Sequence, residues 1–441
     1  MRDYLTILGA GLAGSEAAWQ AAERGIPVVL YEMRPVKPTP AHKTDRCAEL
    51  VCSNSLGNNL SPSAPYLLKE ELRKFNSLVV DAGDTHSVPA GAALAVDREL
   101  FSKKITEQLL KHPNITLIRE EVTEIPSEGP VIVATGPLTS PRLSESISRL
   151  IGQEYLYFYD AISPIVDANT IDYDKTFFAS RYDKGTDDYL NCPLNEGQYY
   201  SLVNELKNGK KVPFKSFEKP IYFEGCMPVE ELAMRGDKTL AFGPLKPVGL
   251  LHPETKEQFY AVVQLRHENN EGTAFNLVGF QTKLTYPEQK RVIRLIPGLE
   301  HAEFFRFGAI HRNTYINAPD VLSCELDLKK NSGIYFAGQI IGVEGYVESV
   351  AMGLLAAISA VKRIKGEVYS TPPVDTALGS LLKYVTDTSR PSFQPMNINY
   401  GLFQVQEMKI RNKRERNKKI ELKALDSLSQ WMETINGELV K

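Results

Sequence analysis

Residues 4–18 read Tyr-Leu-Thr-Ile-Leu-Gly-Ala-Gly-Leu-Ala-Gly-Ser-Glu-Ala-Ala. This stretch predicts a strand, a glycine turn and a helix, in the order found in dinucleotide-binding folds. Gly9 permits the tight turn, Gly11 lets the backbone approach a pyrophosphate, and Gly14 lets the helix pack closely on the strand. The N-terminus of the helix then faces the anion. The predicted turn consists of Gly9, Ala10, Gly11, Leu12, Ala13 and Gly14.

A second predicted strand strengthens this interpretation. The apolar run Val28–Tyr31 ends at Glu32. A carboxylate at about this distance from the turn accepts hydrogen bonds from an adenosine ribose in dinucleotide-binding folds. Strand, turn, helix, second strand and terminal acid together favour a dinucleotide site over a purely structural glycine turn.

Composition restricts the class of protein. The 441 residues are 43% hydrophobic, which is enough for two or three domains. Basic and acidic side chains number 51 and 54, so any surface for nucleic acid must be local. Because no long apolar run occurs and the first strand begins at once, we expect a cytoplasmic protein without membrane segment or signal peptide. The five cysteines lack a CxxC pair, so we expect no disulfide framework and no bound metal. Nothing in the sequence indicates an obligate protein partner.

A second glycine-rich unit lies far along the chain. Residues 333–339 predict a strand that ends in glycine, and residues 342–357 predict a glycine loop that opens a helix of small residues. An earlier predicted strand, residues 131–136, also ends in small residues. Two such units predict an α/β, doubly wound, Rossmann-like domain that binds FAD rather than a simple NAD fold. The candidate flavin contacts are Thr135, Gly136, Gly338, Gln339, Gly342, Val343, Gly345 and Tyr346.

The chain between these units has a different amino-acid composition. From residue 157 to residue 285 it is aromatic and β-rich, which predicts an inserted α+β substrate domain. We therefore expect a first FAD-binding part at 1–156, the insertion at 157–285, a second FAD-binding part at 286–365 and a basic helical tail at 366–441. The tail predicts either a face for a polyanion or an ordinary solvated helix surface. Its apolar face is expected to pack on the body through Leu422, Leu425, Leu428, Met432 and Ile435.

Two cysteines lie at the ends of predicted elements. Cys52 closes an apolar run just before Ser53, Asn54 and Ser55, which are cap and turn formers. Cys226 precedes the predicted start of a helix, a position that lowers the pKa of a thiol, although two glutamates in the first turn oppose that effect. For each cysteine the alternative is a residue that only fills space in a core.

The chain resembles the bacterial folate- and FAD-dependent tRNA (uracil-5-)-methyltransferases over nearly its whole length. The resemblance rests on the first glycine turn and on several long segments. These are residues 48–55 (Ala-Glu-Leu-Val-Cys-Ser-Asn-Ser), 88–91, 93–98, 223–228 (Phe-Glu-Gly-Cys-Met-Pro), 279–282, 296–300, 311–314 and 342–349. Gln339 departs from the wider flavoprotein pattern, in which an acidic residue often follows the glycine.

The resemblance implies methylation of a T-loop uridine of tRNA (position 54) at carbon 5. The carbon would come from 5,10-methylenetetrahydrofolate and the hydride from reduced FAD, which NADH or NADPH would reduce. No second GxGxxG turn exists to hold NAD(P)H, so it would enter the same pocket. Cys226 would add to carbon 6 of uracil, and Cys52 would handle the proton at carbon 5.

The resemblance also implies residues that bind the substrates. His311, Arg312, Gln281 and Thr282 are candidates for the pocket of the pterin and the flavin, although His311 is equally compatible with a hydrogen-bonded core histidine. Candidates for tRNA phosphates are Arg235, Lys246, Lys409, Arg411 and Arg414. Two alternatives stay open: a related flavoprotein that modifies the wobble uridine of tRNA, and a non-catalytic FAD-containing protein that binds tRNA.

Overall fold

The computed structural model describes residues 3–39, 41–127, 129–181, 186–213, 222, 227–389, 393–404 and 410–436. Its strands are β1 (Leu5–Leu8), β2 (Val28–Glu32), β3 (Ser55–Asn58), β4 (Ser87–Val88), β5 (Ala93–Val96), β6 (Ile115–Arg119), β7 (Val131–Val133), β8 (Leu156–Ala161), β9 (Ile165–Asp167), β10 (Phe177–Phe178), β11 (Tyr189–Leu194), β12 (Ala261–His267), β13 (Ala274–Leu277), β14 (Phe304–Arg306), β15 (Ile310–Tyr315), β16 (Asp327–Leu328) and β17 (Asn331–Phe336). Its helices are α1 (Leu12–Glu23), α2 (Ala64–Lys74), α3 (Leu78–Thr85), α4 (Arg98–Lys111), α5 (Pro141–Ile151), α6 (Glu196–Asn208), α7 (Val229–Met234), α8 (Thr239–Phe242), α9 (Tyr286–Ile293), α10 (Ala318–Val321), α11 (Tyr346–Ile364), α12 (Ala377–Thr386) and α13 (Lys413–Asn436). Within those ranges, no helix is both long and apolar enough to cross a lipid bilayer.

A mostly parallel sheet forms the first layer of the molecule. Its strand order is β16-β17-β7-β1-β2-β6, and the neighbours from β17 to β6 run parallel. All four residues of β1 are buried, as expected for a central strand covered on both faces. Strand β1 lies between β2 and β7, so the carboxyl ends of three predicted strands meet at one edge of the sheet. This topology confirms the predicted Rossmann-like α/β fold.

An antiparallel sheet forms the inserted unit. Its order is β10-β11-β12-β13-β9-β14, and it packs with α6, α7 and α9 around a second hydrophobic core. Strand β14 pairs with β9 through Phe304 and Val166, and α9 contributes Val292 to the same core. The inserted unit therefore continues to about residue 306, past the predicted end at residue 285. The reason is a long-range strand pairing, which local sequence pattern does not reveal.

The chain crosses twice between the parallel sheet and the inserted unit. The chain leaves the parallel sheet along β8 and returns along β15, and the two strands pair antiparallel from Leu156 opposite Tyr315 to Ala161 opposite Ile310. Within this ribbon Asp160 lies directly opposite His311. The ribbon thus carries polar side chains into the junction between the two units.

The tail packs on the body through α13, and four of the five predicted residues are buried or packed against the core: Leu425, Leu428, Met432 and Ile435. Leu422 is 57% exposed. Residues three or four apart share a helix face, and the buried set follows that spacing. It consists of Ile420, Ala424, Leu428, Trp431 and Ile435. Leu422 lies two residues from both Ile420 and Ala424, which places it on the opposite side. The Trp431 ring meets the Phe75 ring edge to face at 5.7 Å.

A buried carboxyl fixes the start of α12. The two oxygens of Glu71 accept the backbone N–H groups of Ala377 at 2.7 Å and Leu378 at 2.8 Å. These first N–H groups of a helix have no acceptor within the helix. We expect Glu71→Ala to leave both unpaired and to lower the free energy of unfolding by about 2–4 kcal/mol. Urea unfolding and amide hydrogen exchange across α12 measure the loss.

The matched control is Glu70→Ala. Glu70 pairs with Arg73 on the partly exposed side of α2, where an ion pair contributes at most about 1 kcal/mol. Equal losses in the two variants, or unchanged exchange of the α12 amides in Glu71→Ala, would contradict the capping role.

Candidate functional site

The first glycine turn joins β1 to α1 and forms one end of a cleft. Gly9 has a φ of +96°, in the left-handed region that favours glycine. A Cβ on Gly14 would lie 1.8 Å from the carbonyl oxygen of Gly9, so only glycine lets α1 start this close to the turn. A Cβ on Gly11 would meet nothing within 4 Å. The helix N-terminus therefore has open space in front of it, as a pyrophosphate site requires.

Glu32 ends β2 at the wall of the same cleft. Its Oε2 accepts the backbone N–H of Ala10 at 3.1 Å, and its Oε1 accepts Arg34 Nε at 2.8 Å. Burial opposes ionisation of this carboxyl. The hydrogen bonds and the charge of Arg34 outweigh burial and hold the pKa of Glu32 below its ordinary value. The cleft thus has an ionised acceptor next to the glycine turn.

Other residues of the predicted cofactor set act through the backbone or lie in the core. The side chains of Ala10, Ala13 and Val343 are buried among core residues, and Leu12 packs partly against them. Their side chains therefore offer little to a ligand, and only their backbone groups can take part.

Thr135 and Gly136 follow β7, and Thr135 lines the cleft whereas Gly136 does not. Thr135 Oγ1 lies 2.6 Å from Thr139 Oγ1. Thr135 lines the part near the glycine turn, and Leu138 lines both that part and a larger one. The two parts therefore adjoin.

The larger part has a volume of about 470 Å³ and lies where the ribbon meets the second glycine loop. Strand β17 leads through Gly338 and Gln339 to α11, which begins at Tyr346. Gln339 Nε2 donates to Glu344 Oε2 at 2.8 Å, so a carboxyl lies next to the glutamine that departs from the flavoprotein pattern. The predicted residues that line this part are Cys52, Gln281, His311, Gln339, Gly345 and Tyr346.

Cys52 lies half-buried in the wall of the larger part. Its backbone N–H donates to Tyr346 Oη at 2.8 Å, and its Sγ lies 3.9 Å from the carbonyl oxygen of Ala161. Burial and the neighbouring Cys52 raise the pKa of Tyr346, which therefore stays a neutral phenol. The structure thus places one predicted cysteine beside the second glycine loop, 294 residues away in sequence.

His311 contributes an unpaired ring nitrogen to this part. Its Nε2 is buried and has no hydrogen-bond partner among the described residues. Burial and the charge of Arg306 lower the pKa of His311, so the ring is neutral near pH 7. A neutral imidazole with a free nitrogen can donate to or accept from a ligand. This arrangement favours a binding role over the alternative of a satisfied core histidine.

Cys226 lies outside the described residues, but the chain just after it is well anchored. Helix α7 begins at Val229, whose N–H donates to the carbonyl oxygen of Gln281 at 2.7 Å. Glu230 is buried in its first turn and accepts Thr282 Oγ1 at 2.8 Å. Since Gln281 lines the larger part, the segment that follows Cys226 starts at the edge of the cleft. Thr282 therefore helps to hold the start of α7 in place and does not line the cleft.

The predicted tRNA contacts lie away from the cleft. Arg235 is exposed at the end of α7, and Lys246 is half-buried beyond α8. Arg411 and Arg414 are exposed near the start of α13. Lys409 lies outside the described residues, as does the side chain of Arg312. The structure brings none of the described four together with Cys52.

Sequence reasoning missed three carboxyl groups that line the larger part: Asp160, Glu344 and Glu348. Glu344 and Glu348 belong to the Gly-Val-Glu-Gly-Tyr-Val-Glu loop, so their proximity to the glycines was a usable signal. Burial raises the pKa of Glu344 well above its ordinary value, with Asp160 adding to the effect. Asp160 carries no local signal, because only the pairing of β8 with β15 brings it here.

Glu348 gives a testable pH dependence. Burial raises its pKa from 4.5 to about 6, while its Oε1 accepts the N–H of Ile398 at 3.0 Å. The folded state therefore favours the protonated form, and this stabilisation is present below pH 4.5 and lost as the pH rises through 6. Relative to Glu348→Gln, we expect the wild-type free energy of unfolding to fall by about 2 kcal/mol between about pH 4 and about pH 7.5. Urea unfolding at both pH values measures it, and a difference that does not change with pH would contradict the shift.

Comparisons with known proteins agree with this geometry. Residues 4–368 match the family described as "GIDA: Glucose inhibited division protein A". Two solved structures of Aquifex aeolicus GidA, in the form I and form II crystals, share the fold with TM-scores of 0.72 and 0.71 at 18% identity. The alignments cover 98% of this chain and 76% and 73% of those chains.

Curated relatives match over the full length. One from Natranaerobius thermophilus is 57% identical over 429 residues, which cover 97% of this chain and 99% of the relative. One from Geobacter sulfurreducens is 56% identical, covering 99% and 100%, and one from Bacillus subtilis is 54% identical, covering 98% and 99%. All three bear the name "Methylenetetrahydrofolate--tRNA-(uracil-5-)-methyltransferase TrmFO". The chain therefore belongs to the TrmFO family of methylenetetrahydrofolate--tRNA-(uracil-5-)-methyltransferases.

Proposed function

We propose that the protein methylates carbon 5 of a T-loop uridine in tRNA, with 5,10-methylenetetrahydrofolate as the carbon donor. The observation that carries this proposal is full-length identity above 50% to relatives named for that reaction. The cleft supports it, because a cysteine lies between the ribbon and the second glycine loop. A tRNA substrate is also consistent with a place in the cytoplasm.

The residues of the cleft fit FAD. The open space at Gly11 and the ionised carboxylate of Glu32 suit a pyrophosphate and a ribose, and the larger part has room for a flavin beside Gly345 and Tyr346. The unpaired Nε2 of His311 is a polar group that a ligand can satisfy. When bound, FAD supplies the hydride that brings the transferred carbon to the methyl level.

The cysteines supply the covalent and proton chemistry. Carbon 5 of uracil is a poor nucleophile until a thiolate adds to carbon 6, and we assign that addition to Cys226. After carbon 5 has gained the folate carbon, Cys52 in the cleft wall takes the proton of carbon 5, and the bond from the transferred carbon to its carrier breaks to leave an exocyclic methylene. Hydride addition to this methylene expels the Cys226 thiolate from carbon 6. The hydrogen bond from its backbone N–H to Tyr346 Oη holds Cys52 in the wall.

The larger part of the cleft also receives the small co-substrates. Its 470 Å³ lies within the range of ligand pockets and suits a pterin next to a flavin, with Gln281 and His311 as polar contacts. NADH or NADPH would supply the electrons for the flavin from the same pocket, since the sequence has no second GxGxxG turn. The exposed Arg411 and Arg414, with Arg235, Lys246 and Lys409, bind tRNA phosphates.

The experiment compares three tRNA transcripts in the presence of the flavin-loaded protein, labelled methylenetetrahydrofolate and NADPH. One transcript is unaltered, one has cytidine in place of the T-loop uridine, and one has cytidine in place of the wobble uridine. We expect label in the first and third transcripts alone. Label that depends on the wobble uridine would overturn the proposal in favour of anticodon modification, and no label in any transcript would favour a binding protein.

A further inference from the structure

The segment that carries Cys52 is held by one buried guanidinium. Arg98 begins α4, and its side chain is 15% exposed. Its Nη1 donates to the carbonyl oxygen of Leu50 at 2.7 Å, and its Nη2 donates to that of Cys52 at 3.1 Å. Because the guanidinium is a rigid plane, these two bonds fix the path of the backbone through Cys52.

The same guanidinium is held from the inserted unit. Glu268 follows β12, and its carboxylate is 6% exposed. Arg98 Nε donates to Glu268 Oε2 at 2.5 Å, and Arg98 Nη2 donates to Glu268 Oε1 at 3.2 Å. A buried ion pair is tolerated when its geometry is good and its donors are satisfied, and here every nitrogen of Arg98 has an acceptor. The pair therefore links the inserted unit to the Cys52 segment.

A second link lies beside the first. Arg266 Nε donates to Asn54 Oδ1 at 3.0 Å, and Asn54 Nδ2 donates to the carbonyl oxygen of His267 at 2.9 Å. Asn54 is fully buried. Arg266 and His267 at the end of β12 thus hold Asn54, while Glu268, the next residue, holds the guanidinium that bonds the carbonyl groups before and at Cys52. Both links need the inserted unit in its place.

We propose that Arg98 is a positioning residue for the proton transfer at Cys52, and that its ion pair with Glu268 makes the position of Cys52 depend on how the inserted unit is seated. The role rests on the proposed function of Cys52. A base must lie within hydrogen-bond reach of the proton it removes, and a displacement of about 1 Å lowers a rate by about 10²-fold.

The test measures the thiol directly, without tRNA or folate. Flavin-loaded wild type, Arg98→Lys and Glu268→Gln are treated with iodoacetamide, and the alkylation rate of Cys52 is divided by that of the exposed Cys324 in the same molecules. A lysine has its donors on one atom and cannot reproduce the planar fork that spans the carbonyl groups of Leu50 and Cys52 and the Glu268 carboxylate, so we expect Arg98→Lys to loosen the segment and raise this ratio about tenfold. Glu268→Gln keeps an acceptor and should raise the ratio about threefold. In the tRNA assay, kcat of Arg98→Lys should fall about 10²-fold, with KM for tRNA changed less than about threefold.

The chain offers its own controls. Cys47 and Cys192 are buried in the two hydrophobic cores, so their alkylation reports loss of either core. Arg73→Lys breaks another two-bond pair, from Arg73 Nε and Nη2 to Asp84 at 2.8 and 2.7 Å, which lies on α2 and α3 outside the cleft.

The positioning role of Arg98 is supported if the ratio rises in both test variants. In the same experiment Cys47 and Cys192 must stay unmodified, and Arg73→Lys must give the wild-type ratio. Ratios within about twofold of wild type in both test variants, or an equal rise in Arg73→Lys, overturn it. If Arg98→Lys opens a core, the ratio of Glu268→Gln decides alone. A wild type that does not methylate tRNA would overturn the proposed function instead, and the alkylation ratios would still decide whether Arg98 holds Cys52.

Discussion

Cys226→Ala is expected to lose methyl transfer to tRNA by about 10⁴-fold or more, the scale of losing a covalent nucleophile. Without thiolate addition at carbon 6, carbon 5 of uracil has too little electron density to attack the folate-derived carbon. The flavin should stay bound, because the cofactor residues belong to the two glycine loops. Single-turnover transfer of labelled carbon to tRNA, together with the flavin absorbance of the same sample, measures both outcomes.

Cys324→Ala is the matched control for this variant. Cys324 is exposed and does not line either part of the cleft, so its replacement should leave transfer unchanged. A Cys226→Ala protein that keeps transfer within about tenfold of wild type would remove Cys226 from the mechanism. In that case the same measurement on Cys52→Ala would show whether Cys52 is the nucleophile instead.

Gly353→Ala is expected to lower the free energy of unfolding by about 3 kcal/mol and to reduce the flavin content. Gly353 lies in α11 where it crosses α1, and a Cβ there would lie 2.2 Å from the carbonyl oxygen of Ala13. The two helices begin at the two glycine loops, so separating them displaces both ends of the cofactor cleft. Alanine is a better helix former than glycine by about 1 kcal/mol, so any loss must come from the contact between the helices.

Gly11→Ala separates the effect on flavin binding from the effect on the free energy of unfolding. A Cβ on Gly11 would meet nothing within 4 Å, so the stability of the protein without cofactor should change by less than about 0.5 kcal/mol. Flavin content should still fall, because the added methyl group occupies the space in front of the helix N-terminus. Urea unfolding and flavin-to-protein absorbance ratios measure the two quantities. Equal stability of Gly353→Ala and wild type would contradict the close approach of α1 and α11.

Local pattern predicted those parts of the fold that depend on local physics. Helix α4 shows which local signals are sufficient, because Asp97 caps its start and its apolar residues recur at helical spacing. The glycine turn could be predicted from the sequence because its backbone conformation requires glycine, and glycine is visible in the sequence. The packing face of α13 was predicted correctly except for Leu422, which is 57% exposed.

The remaining parts depend on contacts between distant residues. The inserted unit extends through β14 because Phe304 pairs with Val166. The local sequence around either residue does not indicate the other as its partner. The ion pair of Arg98 with Glu268 joins residues 170 apart, and the bond of Cys52 to Tyr346 joins residues 294 apart. Sequence patterns predicted Cys52 and Tyr346 separately, while only the fold brings them to one wall.

We infer that this cleft places a folate-derived carbon on carbon 5 of a T-loop uridine. The most direct measurement is mass analysis of nucleosides from the T-loop fragment of tRNA, after incubation with the protein, ¹³C-methylene-labelled methylenetetrahydrofolate and NADPH. We expect 5-methyluridine whose methyl carbon carries the label. Unlabelled 5-methyluridine, or a T-loop fragment that contains no label, would show that the carbon is not transferred from folate to this uridine.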